Sequence, residues 1–136
     1  MTNRSMDTPS CRVGRSQTGL GLFATVPIRK HALIVEYSGP RIPTAEAQAR
    51  ERAGRSKYMF EISSRWTIDG AGRDNMGRYA NHACRPNAES VLTRGKIFLK
   101  AIRRIQPGEE ITYDYGREYV ELFFKAGCRC ATCRAK

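Results

Sequence analysis

Short apolar runs recur along this chain, and glycine, proline and paired polar residues separate them. Seven of these runs predict strands, at residues 20–26, 33–37, 58–62, 66–68, 90–93, 97–102 and 111–113. Arg94-Gly95 has the form of a two-residue hairpin turn, and Ser63-Ser64 is a second candidate. Pro27, Gly39-Pro40 and Pro107-Gly108 punctuate the chain as turns or loop entries. Helical periodicity is scarce. One helix is predicted after Pro43, with Thr44 as its N-cap, over residues 45–53 up to Gly54; its apolar surface is small, which places it on the outside. A second is predicted over 118–125, carrying Tyr119, Val120, Leu122, Phe123 and Phe124, with Gly127 as its stop. The pattern is mainly β with short helices and lacks the strand–helix alternation of a doubly wound fold. Residues 1–10 read as a flexible lead, 11–117 as one domain, and 118–136 as a helix with a cysteine-rich tail.

The length of 136 residues suits one core. No run approaches the roughly 18 apolar residues of a membrane span, and the polar start has no secretory apolar stretch. A soluble, intracellular protein without membrane contact is expected. The formal charge of +11 raises the prospect of contact with nucleic acid or a nucleoprotein, against the plainer reading of a solvated basic surface. The charge is uneven. Glu109, Glu110, Asp114, Glu118 and Glu121 form an acidic strip broken only by Arg117, whereas 78–104 is strongly basic. Of the five cysteines, Cys128, Cys130 and Cys133 crowd the tail as C-x-C-x-x-C, a spacing that favours zinc over disulfides.

Three segments concentrate chemistry. Gly19-Leu20-Gly21-Leu22-Phe23 lets a backbone approach a ligand closely, although without the third glycine and βαβ unit of a dinucleotide site. The run Arg78-Tyr79-Ala80-Asn81-His82-Ala83-Cys84-Arg85-Pro86-Asn87 gathers amide, imidazole and thiol groups. In Ile111-Thr112-Tyr113-Asp114-Tyr115 two tyrosines two apart share one face of a strand, where they either line a slot or pack on the core.

Together with Glu36-Tyr37-Ser38-Gly39, and in this order and spacing, these segments resemble SET-domain protein-lysine methyltransferases over residues 11–134. The cysteine tail resembles the zinc-binding extension of many members. The resemblance implies small curved sheets with a C-terminal pseudoknot, a topology periodicity alone does not reveal. It implies S-adenosylmethionine held by Gly19, Leu20, Gly21, Phe23, Trp66, Arg78, Asn81, His82 and Tyr115. It makes Tyr115 the catalytic tyrosine, Tyr58 a wall of the lysine channel and Tyr113 the position that tunes product state, with monomethylation favoured. Structural zinc would be held by Cys84, Cys128, Cys130 and Cys133. Residues 39–66 would be a short form of the insert that helps to read the substrate peptide.

The chemistry needs a neutral lysine amine, in line with the donor. Lysine ionises near 10.4, so a desolvated aromatic channel beside a cationic sulfonium favours the reactive form. The substrate expected is a basic lysine-containing protein, a histone or another nucleic-acid-associated protein, drawn by the acidic strip. Two positions depart from the family pattern: the last cysteine gap is two residues, and Ala83 stands where serine is usual. The alternative is a weak or inactive, zinc-stabilised module that docks on nucleoprotein. The oligomeric state is left open.

Overall fold

The computed structural model describes residues 10–54 and 57–116. The helix expected at 118–125, the acids Glu118 and Glu121, and the tail cysteines Cys128, Cys130 and Cys133 lie outside the described residues. Ten strands occur: β1 (Cys11–Ser16), β2 (Gly19–Ala24), β3 (Leu33–Tyr37), β4 (Arg41–Pro43), β5 (Met59–Glu61), β6 (Trp66–Asp69), β7 (Asn81–His82), β8 (Ala88–Thr93), β9 (Lys96–Ala101) and β10 (Glu110–Tyr113). Helix α1 (Thr44–Arg52) lies between β4 and β5, and a 3-10 turn, Met76–Tyr79, precedes β7.

The strands form three small sheets, ordered β1-β2-β10-β7, β3-β9-β8 and β4-β6-β5. No strand is longer than six residues, so each sheet buries little surface alone and the sheets must share a core. Leu22, Leu99, Ile105 and Ile111 are all fully buried in that core, with Ala24, Ala80, Ala88 and Ala101 as small spacers. A second cluster, Tyr37, Ile68 and Ile97, carries Tyr58, Phe60 and Ile62 at its edge. The mainly β expectation is thus met. Arg94 and Gly95 both take positive φ, 52° and 78°, as the predicted two-residue hairpin between β8 and β9 requires.

β10 fixes the topology. It runs antiparallel to β2 on one side and parallel to β7 on the other, so a strand formed late in the described chain is inserted between two earlier ones. Buried Asn87 clamps it there: its amide donates to the Glu110 carbonyl (2.8 Å) and its Oδ1 accepts from the Thr112 N–H (2.9 Å). Asn75 performs similar work beneath β3. Its Oδ1 accepts from Ser38 and Gly77 N–H groups, and its amide donates to Gly70.

Three local expectations change. β1 emerges from a polar stretch, CRVGRS, whose only aliphatic residue, Val13, is half-buried; its order comes from a full antiparallel register with β2, Cys11 opposite Ala24 through Ser16 opposite Gly19. β4 likewise has no apolar alternation and is held by pairing with β6. Thr44 is not the N-cap of α1. Pro43 holds that position without a side-chain cap, and Thr44 is the first helical residue, buried with its hydroxyl on the Ser63 carbonyl (3.0 Å) and the Thr67 hydroxyl (2.8 Å). The threonine fastens the helix to the β4-β6-β5 sheet.

Candidate active site

The three tyrosines expected in the channel do meet. Tyr58, Tyr113 and Tyr115 line one cleft of about 730 Å³ with Phe60 and Tyr37. Tyr113 closes β10 and is 7% exposed, between the rings of Phe60 (6.4 Å) and Tyr115 (4.9 Å). Tyr58 leads into β5, where its carbonyl accepts the Tyr37 hydroxyl (2.9 Å). Tyr115 follows β10, and its hydroxyl donates to the Ala80 carbonyl at 2.5 Å. Alternation on β10 puts Tyr113 inward while the chain end carries Tyr115 past β7. The positions of both tyrosines thus depend on the insertion of β10.

His82 sits behind Tyr115, ring centroids 5.4 Å apart, and its Nδ1 accepts the Tyr115 N–H at 3.0 Å. An Nδ1 that accepts is unprotonated, so the ring proton is on Nε2, which faces the Cys84 sulfur at 3.7 Å. Burial lowers the His82 pKa and the neighbouring Asp114 carboxylate, 3.6 Å from Nδ1, opposes that shift. Desolvation dominates, and the neutral imidazole is the form that keeps the bond to Tyr115.

Asn81 reaches the other way. Its amide donates to the Leu20 carbonyl (2.9 Å), to the Ser16 hydroxyl (3.3 Å) and to Glu110 Oε2 (2.7 Å). Gly21 faces the same amide: a Cβ there would stand 2.6 Å from Glu110 Oε2 and 3.2 Å from Asn81 Nδ2. Gly19, at φ 122°, has the positive φ that suits glycine. The Gly19–Gly21 backbone and Asn81 therefore form one polar cradle, with no room for a Cβ at Gly21, and it continues through His82 to Tyr115. This geometry fits a compact polar ligand seated against backbone groups. Ala83 adds only its backbone here, its N–H donating to the Tyr113 carbonyl (3.2 Å), so the missing serine hydroxyl leaves this contact untouched.

Phe23 is on the same strand as the cradle, half-buried beneath the Arg12 guanidinium (5.3 Å). Two further residues expected at the cofactor make none of the cradle's side-chain hydrogen bonds. Trp66 begins β6 opposite Pro43, 38% exposed beside the turn at 63–65, and it is not among the residues that line the cleft. The Ser63 hydroxyl accepts both the Arg65 and Trp66 N–H groups, which turns the chain so that Trp66 sits at the sheet end. Arg78 lies in the cleft wall, over the ring of Tyr58 (4.5 Å), with its guanidinium donating to the Ala71 carbonyl.

The acidic strip also divides. Glu109 binds Arg103 (2.9 Å), which with the Gln106 N–H lowers its pKa, and Glu110 is engaged by Asn81. Of the described strip only Asp114 lines the cleft. The other carboxylates there are Glu51 of α1 and Glu61 of β5, close enough that burial first and the Glu61 charge second raise the Glu51 pKa. They are ten residues apart in a stretch without a motif, and only the packing of α1 on β5 reveals them.

Cys84 is an exposed thiol and fits a ligand role on its own account; the three cysteines expected to join it lie outside the described residues, and no cluster of metal-binding side chains occurs among the described ones. Cys11 is buried in the core, where desolvation raises its pKa.

A fold of small sheets with a late strand inserted behind an Asn-His pair defines a class, and comparison gives it a name. Residues 19–116 match the SET domain, and the chain belongs to that family. It is 38% identical over 120 residues to human histone-lysine N-methyltransferase 2D, across 82% of this chain and 2% of that protein. A histone-lysine N-methyltransferase of Schizosaccharomyces pombe, H3 lysine-4 specific, is 37% identical across 85% of this chain and 14% of its own length. Among solved structures, a humanized mutant of the Chaetomium thermophilum Polycomb Repressive Complex 2 bound to the inhibitor GSK126 superposes with a TM-score of 0.70. It shares 30% identity, over 79% of this chain and 15% of that one. The chain thus spans a small part of the relatives it matches. No helix among the described residues is long and apolar enough to cross a membrane.

Proposed function

We propose that this chain transfers a methyl group from S-adenosylmethionine to a lysine of a basic protein, a histone or another nucleic-acid-associated protein. The observation that supports this most is the convergence of Tyr58, Tyr113 and Tyr115 in one cleft, joined through His82 to the glycine–Asn81 cradle. The relatives' naming as histone-lysine methyltransferases supports the substrate class, and with it a place on chromatin. S-adenosylmethionine, held at Gly19–Gly21, Asn81 and His82, supplies the methyl group. The chain's own residues do the rest. Aromatic rings exclude water from the amine, which favours its uncharged form. Tyrosine hydroxyls and backbone carbonyls orient the lone pair, and holding two reactants in line removes much of the entropic barrier. Glu51, Glu61 and Asp114 offer carboxylates to basic residues flanking the target lysine. Incubation with labelled S-adenosylmethionine and a panel of basic proteins tests the reading. Label on lysine is the expected result; cofactor bound without transfer favours a docking module instead.

Monomethyllysine is the proposed main product. Tyr113 is packed between Phe60 and Tyr115, and a hydroxyl at its ring edge takes volume that a second methyl group needs. Tyr113→Phe is expected to move the product towards di- and trimethyllysine by mass spectrometry of product peptides; an unchanged distribution overturns the assignment.

Zinc is proposed as a structural ion, with Cys84, Cys128, Cys130 and Cys133 as its thiolates. The neutral His82 presents its Nε2 proton to the Cys84 sulfur, a contact that would orient a ligand sulfur. Purified chain should carry about one equivalent of zinc by elemental analysis, and Cys84→Ser should lose most of it. Full zinc occupancy in that variant removes Cys84 from the site.

A further inference from the structure

Arg78 occupies a position that the proposed reaction has to accommodate. It is a permanent cation in the wall of a cleft that must receive a lysine, itself a cation in solution. Its guanidinium is immobilised. It lies over the Tyr58 ring at 4.5 Å and near the Tyr79 ring at 5.1 Å, and it donates to the Ala71 carbonyl. Its Nε is buried without a hydrogen-bond partner among the described residues, so the group is held by stacking and shape rather than by a carboxylate. No salt bridge to Arg78 occurs among the described residues, in contrast to Arg50 and Arg103. No described carboxylate therefore forms an ion pair with it.

We propose that Arg78 sets the protonation state of the substrate lysine: its guanidinium, fixed on the Tyr58 wall without a carboxylate partner among the described residues, disfavours the ammonium and admits the neutral amine. The inference rests on the reading of this cleft as a lysine channel. The other charges that face the cleft balance one another poorly without Arg78. Helix α1 contributes Glu51 and Arg52, β5 and its approach contribute Lys57 and Glu61, and the end of β10 contributes Asp114. Among the described residues, the lining with Arg78 holds three cations against three carboxylates. Without it the carboxylates are in excess, and the cleft becomes a trap for an ammonium, which has no lone pair to attack with. Two unit charges about 8 Å apart, at the effective permittivity usual for protein sites, shift a pKa by about one unit or somewhat more. Arg78 is thus a positioning residue that acts through the field in the channel and through the ring it holds.

The experiment compares binding of two peptides that differ only at the target position, lysine in one and norleucine in the other. Norleucine keeps the four-carbon stem and lacks the nitrogen, so the ratio of the two dissociation constants reports the penalty on the ammonium. Arg78→Gln keeps a planar group over Tyr58 and removes the charge; Arg78→Lys keeps the charge and loses the plane. At neutral pH the wild-type chain is expected to disfavour lysine against norleucine. In Arg78→Gln the ratio should shift in favour of lysine by about tenfold, the equivalent of one pH unit. Arg78→Lys should retain the wild-type ratio, and the gap between wild type and Arg78→Gln should close as the pH approaches 10. Equal ratios in the Gln and Lys variants overturn the proposal, as does a gap that ignores pH. Thermal melting monitors folding, and Arg78→Met replaces Arg78→Gln should that variant not fold. Failure of both neutral variants to fold assigns Arg78 to the fold and also overturns the proposal. If wild type binds neither peptide, or transfers no label to lysine, it is the reading of the cleft itself that fails.

Discussion

Tyr115→Phe is expected to reduce kcat for lysine methylation by about a hundredfold or more while the fold persists. The tyrosine hydroxyl points from the cleft rim to the Ala80 carbonyl at 2.5 Å, and the ring is wedged between His82 and Tyr113. Phenylalanine keeps both ring contacts, so packing changes little. Loss of the hydrogen bond to one backbone carbonyl costs about 1 kcal/mol of stability. The catalytic loss should be larger, because on the proposed reading the hydroxyl and the carbonyl it orders help to aim the amine. An aromatic cleft without them still binds a side chain but no longer directs its lone pair. Steady-state kinetics with a basic peptide separates the two effects: KM should stay within a few-fold while kcat falls. A kcat within threefold of wild type would remove Tyr115 from the chemistry, whatever the melting temperature does.

What the sequence made legible was carried by short motifs and by turns. The glycine pair, the Asn81-His82 pair and the two tyrosines at and just beyond the end of β10 were readable because each is a particular residue type at a fixed place in a short run. The structure places them together, Asn81 on the Leu20 carbonyl and His82 against Tyr115. The Arg94-Gly95 hairpin was readable because only a few residues accept positive φ at both positions. Elements stabilised by tertiary pairing were not. β1 and β4 have no hydrophobic alternation, and both form because a partner strand offers a register. Trp66 and Arg78 show how much of a residue's surroundings its position in the chain leaves unsaid. Their places follow from the turn at 63–65 and from the stack on Tyr58, neither of which has a signature in the chain. The acidic strip shows the same limit for charge. Proximity in sequence grouped Glu109 and Glu110 with Asp114, but an arginine and an asparagine engage the first two. The cleft instead recruits Glu51 and Glu61 from a helix and a strand that no motif marks.

Asn87→Ala should be the most damaging substitution outside the cleft, although the residue touches nothing that reacts. Its side chain is buried at 3% exposure and serves β10 on two counts, accepting from the Thr112 N–H and donating to the Glu110 carbonyl. Alanine leaves both part-buried backbone groups without this partner, each at about 1–3 kcal/mol, and opens a small cavity beside Ile111. A total of about 2–6 kcal/mol corresponds to a drop of roughly 10 °C or more in Tm for a domain of this size. The effect should reach the cleft, because β10 carries Tyr113 and leads to Tyr115, and its two neighbours are the glycine strand β2 and the Asn-His strand β7. A slackened β10 loosens the cradle and the channel together, so both cofactor affinity and kcat should fall. Asn87→Asp makes the distinction sharper. It preserves the acceptor for Thr112 but sets a carboxylate against the Glu110 carbonyl, so it should be no better than alanine at neutral pH. Protonation at low pH should restore a donor and recover part of the lost stability. Thermal melts of the three proteins across pH test this directly; an Asn87→Ala chain that melts within 2–3 °C of wild type would show that β10 is held by its strand partners alone.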